Sequence, residues 1–98
     1  MVKESDLTRR IITELSDRWP LSWWLKVHGS PMQPAGTADI VGCVRGRFVA
    51  LEVKLPGKKD TLTERQAYSL EVVGRAGGIT GVVDSPEEAL RVVANGIM

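Results

Sequence analysis

"GTADIVGCVRGRFVALEVK", residues 36–54, decides the predicted fold, because two apolar runs flank Arg45 and Gly46. The runs are rich in β-branched residues, which is typical of strands, and glycine suits the positive φ of a two-residue hairpin turn. The stretch is therefore expected to form an antiparallel hairpin of ADIVGCV and RFVALEVK. Two acids and a lysine interrupt its apolar pattern near the open end, at Asp39, Glu52 and Lys54.

The predicted turn fixes the register of the hairpin and brings these three side chains together. Asp39 falls directly opposite Glu52, and Lys54 shares the face of Glu52 because side chains alternate along a strand. Opposed carboxylates have Cβ atoms about 5 Å apart and destabilise a sheet unless something offsets their charge. A divalent cation between them would do so.

Two oxygen-donating acids next to a lysine are typical of phosphodiester hydrolysis. Asp and Glu oxygens suit Mg²⁺ or Mn²⁺, and the Val53 carbonyl beside Glu52 is an expected further ligand. The ion polarises a phosphoryl oxygen and lowers the pKa of a bound water, while Lys54 helps to activate that water or neutralises charge on phosphorus. The alternative is a surface salt bridge between Lys54 and one of the acids, with no chemistry.

The remaining periodicity predicts helices on both sides of the hairpin. The order becomes αβββαβα, an α/β fold with a mixed sheet flanked by helices, because a crossover helix returns to the fourth strand. Thr61 followed by Glu64 is expected to form a capping box that opens the second helix. The predicted segments are helix 4–18, strand 21–28, loop 29–36, helix 62–75, strand 79–83 and a last helix that opens with Ser85 and Pro86.

Length and composition predict a single domain over residues 1–98. Thirteen Lys and Arg against twelve Asp and Glu give a formal net charge of +1, so the whole molecule carries no field directed at nucleic acid or membrane. The single cysteine, Cys43, excludes an internal disulfide and is expected in the core. The sequence lacks an apolar run of membrane-helix length, so a soluble, cytoplasmic protein with no membrane partner is expected.

Four motifs in order resemble the VRR-NUC (virus-type replication-repair nuclease) branch of the PD-(D/E)xK nucleases. They are Glu4 on the first helix, GTAD at 36–39, EVK at 52–54 and Gln66 on the following helix. Ala38 stands where the family usually has proline. The resemblance covers nearly the whole chain.

The resemblance implies a restriction-endonuclease-like core and a Mg²⁺- or Mn²⁺-dependent DNA endonuclease. Small stand-alone members look like phage-encoded homodimers that act on branched DNA such as four-way junctions, without a small-molecule cofactor. The implied catalytic residues are Glu4, Asp39, Glu52, Lys54 and Gln66, and the implied metal ligands are Glu4, Asp39, Glu52 and Val53. A phage-encoded member would act in the host cytoplasm.

The two motif residues outside the hairpin, Glu4 and Gln66, both have the helical spacing of the apolar residues on their helices. Glu4 and Glu14 both share the stripe of apolar residues on the first helix, but they are about 15 Å apart, so only one can reach a single ion. The family order selects Glu4; the alternative is a first-turn acid favoured by the helix dipole. Gln66 lies on the apolar face of its helix and would need polar partners, which are metal-site waters or Lys54 or, as the alternative, backbone groups.

Nucleic-acid binding is predicted at the loop after the EVK strand. Lys58 and Lys59 follow Gly57 there and are the best phosphate candidates, with a merely solvated loop as the alternative. His28, just before the 29–36 loop, and Gln33 within it are further candidates for contact with the nucleic acid. A lone histidine is more often structural.

Three tryptophans occur within six residues, at Trp19, Trp23 and Trp24. Adjacent Trp23 and Trp24 must point to opposite faces of a strand, so one is expected to contact a second copy in a twofold dimer. Alternatively, helices cover both faces. Two other functional classes stay open: a non-catalytic nucleic-acid-binding module, and a purely structural dimerisation domain.

Overall fold

The chain folds as an α/β structure, which we describe from a computed structural model over residues 2–29, 32–34 and 36–98. The predicted element order is confirmed, with one added turn of 3₁₀ helix at Lys59–Thr61. Part of the predicted 29–36 loop, at Ser30, Pro31 and Ala35, lies outside the described residues. The elements are α1 (Glu4–Arg18), β1 (Ser22–Lys26), β2 (Ile40–Val44), β3 (Arg47–Val53), α2 (Glu64–Arg75), β4 (Ile79–Val83) and α3 (Pro86–Gly96).

The four strands of the described residues form one mixed sheet in the order β1-β2-β3-β4. Both β1–β2 and β2–β3 are antiparallel, whereas β3 and β4 are parallel. A parallel neighbour requires a crossover connection, and α2 supplies it. None of the helices in the described ranges is long and apolar enough to cross a membrane.

Helices cover the two faces of the sheet unequally. α1 and α3 pack on one face, where their buried side chains join those of all four strands in the larger core cluster. α2 packs on the other face through Leu70 and Val73, which contact Ala50 and the side chains around it. The α2 face is bare towards the hairpin turn and β1, because Trp23 is 56% and Phe48 is 47% exposed.

The tryptophans divide between the faces as the strand alternation predicts. Trp24 packs against the larger core, and Trp23 points to the opposite, α2 face. The prediction that Cys43 lies in the core is wrong: its side chain is exposed. Cys43 pairs with Trp23 and Phe48, so it belongs to the part of the α2 face that no helix covers.

The start of α2 differs from the predicted capping box. Thr61 does not cap the helix, because its hydroxyl donates to the Lys58 carbonyl at 2.6 Å within the 3₁₀ turn. Thr63 is the N-cap instead, and Gln66 completes the box. The predicted opening of α3 is confirmed, since the Ser85 hydroxyl accepts from the Glu88 N–H at 3.1 Å.

The hairpin turn has the predicted geometry, with positive φ at both central residues, 51° at Arg45 and 75° at Gly46. Arg47, just after the turn, connects the hairpin to two helix ends. Its guanidinium donates to the Gly77 carbonyl at 2.8 and 3.0 Å and to the Gly96 carbonyl at 2.8 Å. Arg47 is therefore used structurally, far from the open end of the hairpin.

Gly42 should tolerate no side chain, because Trp24 pairs with it across β1 and β2 and covers it. A Cβ at this position would overlap the Trp24 ring and the Trp23 carbonyl. We expect Gly42→Ala to lower the free energy of unfolding by about 1–3 kcal/mol, although alanine is otherwise no worse than glycine in a strand.

Gly29 provides the matched control, since nothing lies within 4 Å of a Cβ built there. Urea denaturation of both variants checks the expectation. Equal stability of Gly42→Ala and Gly29→Ala would contradict the close packing of Trp24 on Gly42.

Candidate active site

The predicted register of the hairpin is confirmed from Val44↔Arg47 to Ile40↔Leu51. The next position brings Asp39 to Glu52 at the open end. Here the Asp39 carboxylate takes the place of a ladder partner, because its Oδ2 accepts the Val53 N–H at 2.8 Å. The Asp39 carbonyl accepts from the Val27 N–H at 2.8 Å, so both halves of the residue are fixed.

Glu52 is the centre of the cluster and is almost completely buried, at 2% exposure. Its Oε2 accepts from Gln66 Nε2 at 3.0 Å and lies 3.7 Å from Lys54 Nζ. Its Oε1 is buried and, within the described part of the chain, has no hydrogen-bond partner. Buried carboxylate oxygens are normally paired, so Oε1 is a vacant acceptor in an otherwise satisfied cluster.

The electrostatics of the cluster favour a proton on Glu52 in the metal-free protein. Burial, first, and then the nearby charge of Asp39 raise the pKa of Glu52 to about 8. Lys54 lowers this pKa, and the charge of Glu4 raises it slightly. The repulsion expected between opposed acids is thus relieved by protonation.

Gln66 is oriented by the cap of α2. Its Oε1 accepts the Thr63 N–H at 2.9 Å, which leaves the amide NH₂ for Glu52. The backbone partner is the predicted alternative, whereas the Glu52 partner differs from the predicted ones, metal-site waters or Lys54. The missed residue is Thr63, whose signal was present in the sequence as a second S/T-x-x-E/Q pattern overlapping the first.

Glu4, which shares the apolar stripe of the first helix by its spacing, is not buried with that stripe: its side chain is exposed at the start of α1. The helix begins at this residue, so the turn that would bury it is absent. Glu4 is nevertheless near enough to raise the pKa of Glu52 by its charge. Glu14, the other acid on the same stripe, pairs with Arg10 at 3.7 Å.

The donor set fits a hard divalent cation. Asp39 and the vacant Glu52 Oε1 supply carboxylate oxygens, which are the ligands Mg²⁺ and Mn²⁺ prefer. The Val53 carbonyl faces the same side as its N–H, toward Asp39, because both groups of a strand residue point to one neighbour. Across the described ranges, no three His, Cys, Asp or Glu side chains are grouped closely enough to hold a metal, so Glu4 does not join Asp39 and Glu52 as the implied ligand set requires.

The predicted nucleic-acid-binding residues lie on exposed loops at the same end of the sheet as the cluster. Lys58 is exposed, whereas Lys59 Nζ pairs with Glu88 Oε2 at 2.6 Å. No local sequence pattern predicts this pair, because 29 positions separate the two residues. His28 and Gln33 are both exposed on the β1–β2 connection, and their roles stay predictions.

The comparisons leave the family of the chain open: no protein-family model matches it, and neither does any curated protein.

The raised pKa of Glu52 predicts that the stability of the metal-free protein depends on pH. Between the ordinary value of 4.5 and about 8, the folded state keeps a proton that the unfolded chain has released, so stability falls as pH rises through this range. Glu52→Gln removes the titration. In the presence of a chelator, we expect the free energy of unfolding of Glu52→Gln, measured relative to the natural protein, to rise by on the order of 2–4 kcal/mol between about pH 5 and pH 8.

Thermal melting across this pH range is the measurement, with Glu87→Gln as the control. Glu87 is an exposed acid on α3, so its substitution should shift stability equally at both pH values. A constant difference between Glu52→Gln and the natural protein would contradict a buried, protonated Glu52.

Proposed function

We propose that the chain is a metal-dependent DNA endonuclease with a PD-(D/E)xK-like core of the VRR-NUC type. The observation that carries the proposal is the vacant acceptor of Glu52, buried beside Asp39 and Lys54 at the open end of the hairpin. A carboxylate buried at this cost, with one oxygen unpaired, is typical of a site completed by a ligand. The arrangement of three helices around a mixed sheet supports the same family.

Asp39, Glu52 and the Val53 carbonyl would hold Mg²⁺ or Mn²⁺. When bound, the ion supplies Lewis-acid polarisation of the phosphoryl oxygen and an activated water. Cation binding would require Glu52 to lose its proton, so binding and deprotonation would be coupled. Gln66 holds Glu52 Oε2 in place through this change, because its amide is fixed by the Thr63 cap.

Lys54 supplies the remaining charge. Its side chain is only 11% exposed, and its ammonium lies 3.7 Å from Glu52 Oε2, so it is directed into the cluster. An ammonium held in this position orients a nucleophilic water or stabilises negative charge that develops on phosphorus. Exposed Lys58, on the loop that follows, binds the DNA backbone.

Cleavage assays test the proposal directly. The purified protein, with Mg²⁺ or Mn²⁺ and not with a chelator, should cleave DNA, and four-way or flapped substrates faster than linear duplex. Asp39→Asn and Lys54→Ala should each lower the single-turnover rate by about 10²-fold or more and leave DNA affinity nearly unchanged.

Lys58→Ala is the matched variant for binding, and it should weaken affinity without changing the rate at saturating DNA. If Lys54→Ala cleaves at the natural rate, Lys54 is not catalytic. If the natural protein binds DNA but never cleaves it, a non-catalytic binding module is the correct alternative.

The bare part of the α2 face supports a twofold dimer as the active form. Trp23, Cys43 and Phe48 pair across three strands and are all exposed, which makes a continuous apolar surface. Large exposed aromatic side chains are typical anchors of protein interfaces. A twofold dimer would place two active sites in a fixed relation, as symmetric cleavage of a four-way junction requires.

Light scattering at micromolar concentration should give twice the chain mass of 10.7 kDa. Trp23→Glu should produce a monomer, because it places a charge within the apolar surface. Met98→Glu, at a residue 97% exposed at the end of the chain, is the control and should stay dimeric. A natural protein of single-chain mass would overturn the dimer, and a dimeric Trp23→Glu would place the interface elsewhere.

A further inference from the structure

A hollow runs beside α2 on the same face of the sheet as the candidate active site. Ala50 and Glu52 both point to this face, because side chains alternate along β3, and α2 packs on Ala50. The hollow has a volume of about 500 Å³ and reaches Pro34 on its other side; we name it the α2 groove. Sites for small molecules span about 300–1,000 Å³, so the groove has room for a large side chain. Its α2 residues are Glu64, Arg65, Tyr68, Ser69, Val72 and Val73.

The α2 groove is continuous with the bare apolar surface formed by Trp23, Cys43 and Phe48. Val73 lines the groove, and a Cβ built on Gly78 would contact both the Val73 side chain and the Phe48 carbonyl. Val73 and Phe48 are therefore close neighbours. One face of the molecule thus carries projecting aromatic side chains directly beside a recess.

The bare surface is too small to hold two copies together by itself. A fully buried aromatic side chain contributes about 150–250 Å², and Trp23 and Phe48 are each close to half exposed, so with Cys43 they offer on the order of 250 Å². A stable interface takes about 800 Å² from each partner. The α2 groove roughly doubles the apolar area, because Tyr68 is 69% and Val72 is 46% exposed.

The charges of the α2 groove favour a protein partner over nucleic acid. The described lining residues include one acid and one base, Glu64 and Arg65, so they carry no excess positive charge. A nucleic-acid backbone is bound by surfaces with an excess of Lys and Arg, whereas protein interfaces combine an apolar, aromatic centre with a polar rim. A twofold interface must also be complementary to itself, and a projecting Trp23 beside a recess meets this requirement.

We infer that Trp23 of each copy inserts into the α2 groove of the other copy in a twofold dimer. The inference rests on the dimer of the proposed function and assigns the α2 groove as the second half of its interface. The inserted indole lies against Tyr68 and Val72. Val72 is six residues from Gln66 along α2, which is about 9 Å at 1.5 Å per residue, so the indole leaves the Glu52 cluster open to DNA.

Two substitutions on opposite sides of this contact test it. Trp23→Lys removes the projecting ring, and Val72→Glu places a charge in the groove at an exposed helix position where glutamate is a better helix former than valine. Each should raise the dimer dissociation constant, measured by sedimentation equilibrium, by about 30-fold or more. Ala67→Glu adds the same charge at an exposed α2 residue outside the groove and should leave the constant unchanged. Circular dichroism checks that each variant is folded.

Mixing Trp23→Lys with Val72→Glu tests which side chains meet. In a mixed pair the introduced lysine enters the groove that holds the introduced glutamate, while the second contact of the pair stays natural. The one-to-one mixture should therefore dimerise at least about tenfold more tightly than either variant alone. If Trp23 instead met its own copy across the twofold axis, mixing would bring no such recovery.

The possible outcomes separate this inference from the proposed function. A mixture that associates as weakly as its components, or a Val72→Glu variant that dimerises as tightly as Ala67→Glu, would overturn the insertion of Trp23 into the α2 groove and leave the dimer standing. A natural protein of single-chain mass would overturn both the insertion and the dimer. Metal-dependent cleavage of DNA is measured independently of all these variants, so neither result decides the nuclease.

Discussion

The burial of one carboxyl group, that of Glu52, is the constraint on which the candidate site depends. A buried carboxylate costs several kcal/mol unless neighbouring groups compensate. Here Oε2 accepts a hydrogen bond from Gln66 and lies near the Lys54 ammonium, while the charge of Asp39 acts on the same carboxyl group. The two compensating residues come from elements whose own geometry is fixed: the hairpin strand for Lys54, and the Thr63 cap for Gln66. The helix start and the strand pairing are therefore part of the same electrostatic arrangement.

The features that the sequence predicts correctly are those fixed by local rules. The register of the hairpin follows from a two-residue turn, and only Arg45 and Gly46 needed to be recognised to place Asp39 beside Glu52. The first and last helices follow from apolar spacing and, for α3, from a serine cap before proline. The opposite orientations of Trp23 and Trp24 follow from strand alternation alone.

The incorrect predictions arise where two local rules compete, or where the burial of a side chain depends on which helix covers its part of the sheet. The sequence before α2 contains two overlapping capping-box patterns. The Thr61 hydroxyl donates within the 3₁₀ turn, so the box that forms is that of Thr63 and Gln66. Cys43 has the small apolar side chain of a core residue, but whether it is buried depends on how far α2 extends over the sheet. Glu4 has the periodicity of a buried position, yet it stands at the first residue of its helix. Distant pairs such as Lys59 and Glu88 leave no pattern in the sequence.

The pairing of Lys59 with Glu88 affects how strongly the binding of this protein to a polyanion would depend on salt concentration. Glu88 is also held by the Asp84 N–H at 2.9 Å, which fixes the acid that Lys59 contacts at 2.6 Å. Lys59 is already neutralised by Glu88. On meeting a polyanion it exchanges one negative partner for another, so it brings no additional net positive charge to the complex. The sensitivity of complex formation to added salt would then count Lys58 and omit Lys59, even if both ended beside the ligand. The number of cationic side chains at this loop and the number of ions displaced are thus different quantities.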